Sequence, residues 1–170
     1  MKIKKNLILL GMMGSGKSTI GYLVAQKLKK RFVDVDRVIE KEMKNSIAEI
    51  FEKKGEKFFR GIEEKIVLKT LKNNDSVISL GGGSFVNEKI RKEVLNKNIS
   101  FWLNWSSLVL LKRIKKNNNR PVVFNMLDNE ILNLINLRSK FYIRSNYKID
   151  CDGMTKKQIV KKIKNIYENI

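Results

Sequence analysis

Short apolar runs alternate along this chain with longer segments whose apolar residues recur every three or four positions. The short runs are typical of buried strands, and the longer periodic segments are typical of amphipathic helices. Such alternation predicts a parallel sheet covered by helices on both faces. We predict strands at 6–10, 32–35, 77–80, 100–103 and 147–150. The predicted helices are 17–30, 37–44, 47–53, 58–72, 88–96, 107–115, 129–144 and 155–170.

The length of the chain, 170 residues, is that of one domain with a substantial hydrophobic core. We find no internal repeat and no long linker in the sequence. Residues 1–170 are therefore expected to form a single three-layer α/β/α domain around a five-stranded parallel sheet. Ligands of such open sheets bind beyond the carboxyl ends of the strands, so residues that follow the predicted strands are the first candidates for a site.

The segment that follows the first predicted strand reads GMMGSGKS, at residues 11–18. It fits the pattern G-x-x-x-x-G-K-[ST], in which glycines turn backbone N–H groups toward a polyphosphate at a helix N-terminus. Lys17 would then reach the β- and γ-phosphates, and the Ser18 hydroxyl would take a position on Mg²⁺. The alternative is a glycine-rich turn before an ordinary helix. The complete pattern after a strand favours a nucleotide site, and we expect ATP.

The second predicted strand runs into two aspartates, Asp34 and Asp36. As alternate residues at a strand end they would point to opposite sides, one toward a metal near Ser18 and the other toward a second substrate. Aspartates in this position also serve as caps for the following helix. The neighbouring phosphate loop favours the functional interpretation.

Two further segments combine charge with glycine. Arg60 and Glu63 are three residues apart and share a helix face, where an exposed ion pair is the simple interpretation. Three glycines at 81–83 follow the third predicted strand. Glycine beside a strand is costly unless another group comes close to the backbone, so we expect a ligand to rest on these N–H groups.

A basic, asparagine-rich segment at 115–121 contains the sole proline of the chain. It is interpreted as a lid that closes on phosphates and expels water. A solvated surface loop explains the same residues equally well.

The formal net charge of +19 raises the question of nucleic-acid or membrane binding. The lysines are spread over nearly all predicted helices, which favours solvated helix faces, and we do not expect a nucleic-acid partner. One cysteine and no histidine exclude an internal disulfide and a Cys/His zinc site. The sequence contains no apolar run of the ~20 residues that span a membrane, and the basic N-terminus leads into the first strand rather than a secretory signal. We expect a cytoplasmic protein.

Taken in order, the phosphate loop, the aspartate pair, the Gly-Glu…Phe-Arg…Glu helix and the triple glycine resemble the shikimate kinases. The resemblance continues through Arg113, Arg120-Pro121 and Arg138 with Tyr142, so it covers almost the whole chain. It implies a phosphate-loop (P-loop) kinase with a mobile lid at about 112–125 and a substrate-binding helical region at about 36–63. It also implies a monomeric enzyme that moves the γ-phosphate of ATP to the 3-hydroxyl of shikimate, on the path to chorismate and the aromatic amino acids.

The resemblance also implies a role for each matching residue. Catalysis would rest on Lys17, Asp36 and Arg120, and Mg²⁺ on Ser18 with Asp34 acting through water. The shikimate site would consist of Asp36, Phe51, Phe59, Arg60, Gly82 and Arg138. The ATP site would consist of Gly14, Ser15, Gly16, Lys17, Ser18, Thr19, Arg113 and Arg120.

Two other functions stay open from the residues alone. Another small-molecule kinase of the same fold, for gluconate or a nucleoside monophosphate, would share the phosphate loop. A nucleotide-dependent polyanion-binding protein would use the net charge, and its affinity for nucleic acid would fall steeply with salt.

Overall fold

The computed structural model describes residues 5–116 and 121–170. Five strands, all paired in parallel, form one sheet in the order β2-β3-β1-β4-β5. Every strand begins and ends within one residue of its predicted bounds, which confirms the five-stranded parallel sheet. The strands are β1 (Leu7–Leu10), β2 (Arg31–Asp34), β3 (Ser76–Ser79), β4 (Ile99–Asn104) and β5 (Tyr147–Asp150).

Helices connect the strands and cover the sheet, and their positions agree with the prediction except that two predicted helices form one element. The helices are α1 (Lys17–Leu28), α2 (Val35–Met43), α3 (Ile47–Leu71), α4 (Glu88–Lys97), α5 (Ser107–Lys115), α6 (Asp128–Tyr142) and α7 (Lys156–Glu168). Two short 3₁₀ turns, at Ser84–Val86 and Pro121–Val123, were not predicted.

The helix α3 replaces two predicted helices. Its backbone leaves helical geometry at Gly55, where φ is 79° and ψ is 169°, so the element is two helical segments joined at a sharp kink. Only glycine adopts this conformation without steric cost. The kink separates the segment with Phe51 from the segment with Arg60, and both line the same cleft.

The alternating strand pattern divides the core between the two faces of the sheet. Leu7 and Leu9 of β1 pack with α1 and α7, whereas Ile8 and Leu10 belong to the cluster on the opposite face. Burial on both faces explains why β1 reads as an uninterrupted apolar run. The carboxyl ends of β1, β2 and β3 therefore meet at one edge, where the phosphate loop, the aspartates and the glycines follow. Within residues 5–116 and 121–170, no helix is both long enough and apolar enough to cross a membrane.

Candidate active site

The loop after β1 has the backbone geometry of an anion cradle. Gly11, Gly14 and Gly16 have φ angles of 144°, 79° and 88°, a region that residues with a side chain rarely adopt. A Cβ at Gly11 would also lie 3.0 Å from the carbonyl oxygen of Leu103, so the loop passes directly over the end of β4. These glycines are needed to form the turn itself.

The N-terminus of α1 opens toward this loop. Gly16 caps the helix without a side-chain hydrogen bond, and the first turn contains no acidic residue. The Lys17 ammonium is buried and donates to the carbonyl oxygens of Gly11, at 2.7 Å, and Met12, at 3.0 Å. The buried Ser15 hydroxyl has no hydrogen-bond partner among the described residues. Helix N–H groups, a buried cation and an unsatisfied hydroxyl together fit a polyphosphate.

The aspartate pair is arranged differently from the prediction. Asp34 is the last residue of β2, but Asp36 lies in the first turn of α2, so the two do not alternate along a strand. The Asp34 carboxylate caps α2 by accepting from the Asp36 N–H at 3.1 Å. The capping interpretation is therefore correct for Asp34. It does not displace the functional one, because both carboxylates line one cleft together with Ser18.

The donors near the phosphate loop fit magnesium bound through a nucleotide. Ser18 and Asp34 line the same cleft, and one Asp34 oxygen is used by the cap, which leaves the other for a bound water. Across the described ranges, no three acidic, cysteine or histidine side chains form a metal cluster. Mg²⁺ in kinases is held by one or two protein ligands with phosphates and water, so a large protein cage is not required.

The Arg60–Glu63 pair is buried rather than exposed. The Glu63 side chain is 3 % exposed and accepts from Arg60 Nη1 at 2.7 Å and from the Ser84 hydroxyl at 2.6 Å. Arg60 also donates through Nε and Nη2 to Glu56. Burial opposes the charge of the guanidinium, but the two carboxylates outweigh burial and raise the pKa of Arg60. The second hydrogen on each Nη remains available for a carboxylate ligand.

The triple glycine makes room for protein side chains. A Cβ at Gly81 would lie 2.7 Å from Glu63 Oε1 and 2.9 Å from Asp36 Oδ1, and a Cβ at Gly83 would lie 2.6 Å from Arg60 Nη1. Cβ atoms essentially never come this close to a neighbour, so a side chain at Gly81 or Gly83 would displace these charged groups. The glycines were expected to let a ligand approach, and the structure adds that they admit the site's own charged groups.

We expect Gly83→Ala to raise the KM for the phosphate acceptor about ten-fold, because it would displace Arg60, the predicted acceptor-binding group, and so weaken positioning. Gly83 has a φ of −98°, which alanine adopts freely, so the new methyl group acts by pushing the Arg60 guanidinium away. Steady-state kinetics with the acceptor and ATP varied in turn would measure it. Gly61→Ala is the matched control, since a Cβ there meets nothing within 4 Å. Identical kinetics for the two variants would contradict this role.

Arg138 of α6 meets the same turn from the other side. It is 5 % exposed, its Nη1 lies 3.3 Å from a Cβ position on Gly82, and it contacts the Met12 sulfur at 3.5 Å. Burial, with the nearby Arg60 cation, lowers the pKa of Arg138. The carboxylates of Glu56 and Glu63 form their ion pairs with Arg60, and an incoming carboxylate would add an anion beside Arg138.

Tyr142, one turn after Arg138, fixes the glycine turn by donating its hydroxyl to the Gly82 carbonyl. Burial raises the pKa of Tyr142 to about 12, so the phenol remains a donor at any physiological pH. The sequence analysis named Tyr142 together with Arg138 but did not predict its contact with Gly82.

The raised pKa of Tyr142 predicts an alkaline loss of stability. A folded-state pKa above the unfolded value of about 10 means that the unfolded state loses the proton first, so this contribution is complete below pH 10 and is lost toward pH 12. Between these limits, the free energy of unfolding should fall by about 3 kcal/mol more in the parent than in Tyr142→Phe. Urea unfolding at several pH values would measure the difference, and parallel pH profiles would contradict it.

All six predicted acceptor-site residues line one cleft of about 1120 Å³. The rings of Phe51 and Phe59 lie 4.7 Å apart on its apolar side, with Val122 and Phe124 also in the lining. Arg120, predicted as the catalytic lid residue, lies outside the described residues. The predicted residues in the cleft lining are Ser18, Asp34, Asp36, Phe51, Phe59, Arg60, Gly82 and Arg138.

Arg113 lies on the outer side of the phosphate loop and contacts a residue that the sequence analysis missed. Its guanidinium carbon is 3.8 Å from the ring centroid of Trp105, and its Nη1 approaches the Gly14 carbonyl oxygen at 3.4 Å. The Trp105 indole N–H donates to the Ser15 carbonyl oxygen at 3.0 Å. Trp105 directly follows β4, so the strand-end rule applied to the fourth strand would have identified it.

Comparison with known proteins gives the family. A family model described as shikimate kinase matches residues 13–168. A shikimate kinase from Thermodesulfovibrio yellowstonii is 37% identical over 167 residues, which are 98% of this chain and 96% of that protein. A shikimate kinase from Bacillus subtilis is 40% identical over 163 residues, covering 92% of this chain and 85% of that protein.

Solved structures agree with this result. A shikimate kinase from Acinetobacter baumannii in complex with shikimate superposes with a TM-score of 0.91 at 28% identity, covering 97% of this chain and 94% of that one. A gluconokinase from Sinorhizobium meliloti has a TM-score of 0.56 at 14% identity, over 99% of this chain and 94% of that one, and shares the fold alone. The chain therefore belongs to the shikimate kinase family, the ATP-dependent kinases that phosphorylate a shikimate hydroxyl.

Proposed function

We propose that the cleft transfers the γ-phosphoryl group of ATP to the 3-hydroxyl of shikimate, with ATP on the phosphate loop and shikimate between α2, α3 and the glycine turn. One observation carries the acceptor assignment. The guanidinium groups of Arg60 and Arg138 approach the consecutive residues Gly83 and Gly82, beside the phosphate loop. Two partly or fully buried arginines at one place suit a planar carboxylate, which guanidinium groups bind in a bidentate manner.

The acceptor has one carboxylate and several hydroxyls on a ring, and the cleft offers a group for each part. Arg60 and Arg138 would hold the carboxylate, with the Gly82 N–H as a further donor. Phe51 and Phe59 would cover the apolar face of the ring. Asp36, whose Oδ1 lies beside Gly81 of the glycine turn, would accept hydrogen bonds from ring hydroxyls.

Phosphoryl transfer requires positioning and charge neutralisation more than a strong base. Lys17 would place a positive charge on the β- and γ-phosphate oxygens, and the helix N–H groups of α1 would hold the remaining oxygens. Asp36 would orient the 3-hydroxyl toward the γ-phosphorus and take its proton late in the transfer. A solvent isotope effect that showed early, rate-limiting proton removal would count against this order.

Ser18, and Asp34 through water, would hold Mg²⁺, which supplies charge neutralisation to the phosphate oxygens when bound. Arg120 would stabilise the transferring group from a lid at about 112–125, and Arg113 would lie against the adenine. We further propose that the enzyme acts as a cytoplasmic monomer without a nucleic-acid partner.

An ADP-release assay with several acceptors tests the proposal. We expect Mg²⁺-dependent release with shikimate that exceeds release with quinate, gluconate and nucleoside monophosphates. The two arginines would bind the carboxylate of either shikimate or quinate. Contacts to the ring hydroxyls would therefore discriminate between these two acceptors. Preferred turnover of a nucleoside monophosphate, or salt-sensitive nucleic-acid binding without acceptor-dependent turnover, would refute the assignment.

A further inference from the structure

Trp105 connects the phosphate loop to the outer side of the nucleotide site. Its indole nitrogen is a donor only, and in this structure it donates to the Ser15 carbonyl oxygen at 3.0 Å. An indole nitrogen cannot accept a hydrogen bond from a loop N–H. The contact therefore forms only when the Ser15 carbonyl faces Trp105, which fixes one orientation of the Ser15–Gly16 peptide group.

That peptide orientation matters for anion binding. In a planar trans peptide the carbonyl and the following N–H point in opposite directions, so holding the Ser15 carbonyl against Trp105 directs the Gly16 N–H away from it. Gly16 supplies the N–H of this peptide group and has a φ of 88°. Glycine is free to adopt a wide range of φ, which makes rotation of this peptide group easier, and the indole hydrogen bond opposes that rotation.

Trp105 also holds the side chain of Arg113. The guanidinium carbon lies 3.8 Å from the indole ring centroid, a cation–π contact that limits the rotamers of an exposed, long side chain. From there Arg113 Nη1 reaches the Gly14 carbonyl oxygen at 3.4 Å. One tryptophan thus contacts both the phosphate-binding backbone and the cation proposed for the adenine.

The segment that carries Trp105 is itself firmly attached to the end of β5. The Cys151 N–H donates to the Asn104 carbonyl at 2.8 Å, and the Ser106 N–H donates to the Asp152 carboxylate at 3.1 Å. The residues on both sides of Trp105 are therefore fixed, and the indole is presented from a rigid support.

We propose that Trp105 is a positioning residue for nucleotide binding, which sets the phosphate loop through Ser15 and the adenine contact through Arg113. This inference rests on the proposed function for the identity of the nucleotide. The hydrogen-bonding part acts on any polyphosphate, whereas the stacking part acts only on a ligand with a base.

Two variants separate these parts. Trp105→Phe keeps a ring for Arg113 but removes the N–H, and should raise both the KM for ATP and the inhibition constant of inorganic tripolyphosphate about five-fold, the loss typical of one hydrogen bond. Trp105→Leu removes the ring as well. It should weaken ATP binding further, while the binding of tripolyphosphate should be no weaker than in Trp105→Phe. The KM for shikimate should change less than about two-fold in both variants.

Trp102→Phe is the matched control, because Trp102 is a buried residue of β4 that packs against Tyr142. In that variant Trp105 is the remaining tryptophan, and its fluorescence should change when ADP with Mg²⁺ is added. An unchanged KM for ATP in Trp105→Phe, an equal rise in the KM for shikimate, or Trp105 fluorescence that does not change with ADP would overturn the proposal.

Calorimetric titration with ADP tests nucleotide binding even if the parent fails to phosphorylate shikimate, so failure of this proposal and failure of the proposed function are distinguishable. The fluorescence measurement uses native Trp105 and decides the question if a Trp105 variant does not fold.

Discussion

Replacing Lys17 with methionine is expected to lower kcat about 10³-fold, which corresponds to about 4 kcal/mol of transition-state stabilisation. The ammonium is buried at the N-terminus of α1 and points into the phosphate loop, where it donates to two loop carbonyls. Methionine has a similar length and fills the same space, so the change removes the charge and the two hydrogen bonds to the loop carbonyls. Stopped-time assays of ADP release with saturating ATP and shikimate would measure kcat.

The matched control is Lys27→Met, on the exposed side of the same helix. It removes an equal charge from the chain but none from the loop, and kcat should stay within about two-fold of the parent. Thermal unfolding of both variants separates loss of catalysis from loss of structure. Comparable activity of Lys17→Met and Lys27→Met would show that the phosphate loop is not the catalytic site.

Replacing Arg60 with lysine is expected to raise the KM for shikimate by about 10- to 100-fold, the range for losing a charge-assisted hydrogen bond. Lysine keeps the charge but lacks the planar fork that binds Glu63, Glu56 and a ligand carboxylate at the same time. The KM for ATP should rise much less, since the guanidinium belongs to the acceptor side. Initial rates with each substrate varied in turn would show the split.

Arg31→Lys serves as the control for this prediction. Arg31 is exposed and begins β2, at the opposite end of the strand from the active-site edge. Its replacement should leave both KM values unchanged. If Arg60→Lys raised the two KM values equally, Arg60 would support the whole cleft rather than clamp the acceptor carboxylate.

The sequence predicted those parts of the fold that local patterns encode. The strand bounds were correct to one residue because strands buried on both faces read as short apolar runs. The phosphate loop was predicted because its glycines are required by its own backbone, whose φ angles are positive at Gly11, Gly14 and Gly16. Such features depend on residues close together in the chain.

The missed features depend on contacts between distant elements. Glu63 is buried and accepts from Ser84, 21 residues away, so a helical pair that looks exposed in the sequence lies in the interior. The triple glycine is explained by the side chains of α2 and α3 that fill the space beside it. Neither fact can be read from residue spacing alone.

The aspartate pair shows how one residue can satisfy two interpretations. Asp34 was weighed as either a helix cap or a site residue, and it caps α2 while its carboxylate lines the cleft. The assumed alternation failed because the chain enters α2 at Val35, which places Asp36 in a helical turn. A helix that begins inside a motif changes the direction of its side chains.

The position of the transferred phosphate tests the central proposal most directly. In the proposed site, Asp36 and the arginine pair would fix both ends of the acceptor, so a single ring hydroxyl should face the phosphate loop. Incubation with ATP, Mg²⁺ and shikimate, followed by phosphorus and proton NMR of the product, would identify the esterified carbon. We predict shikimate 3-phosphate as the sole product. A phosphate on another hydroxyl, a mixture of esters, or no ester above the level of Lys17→Met would contradict the proposed site.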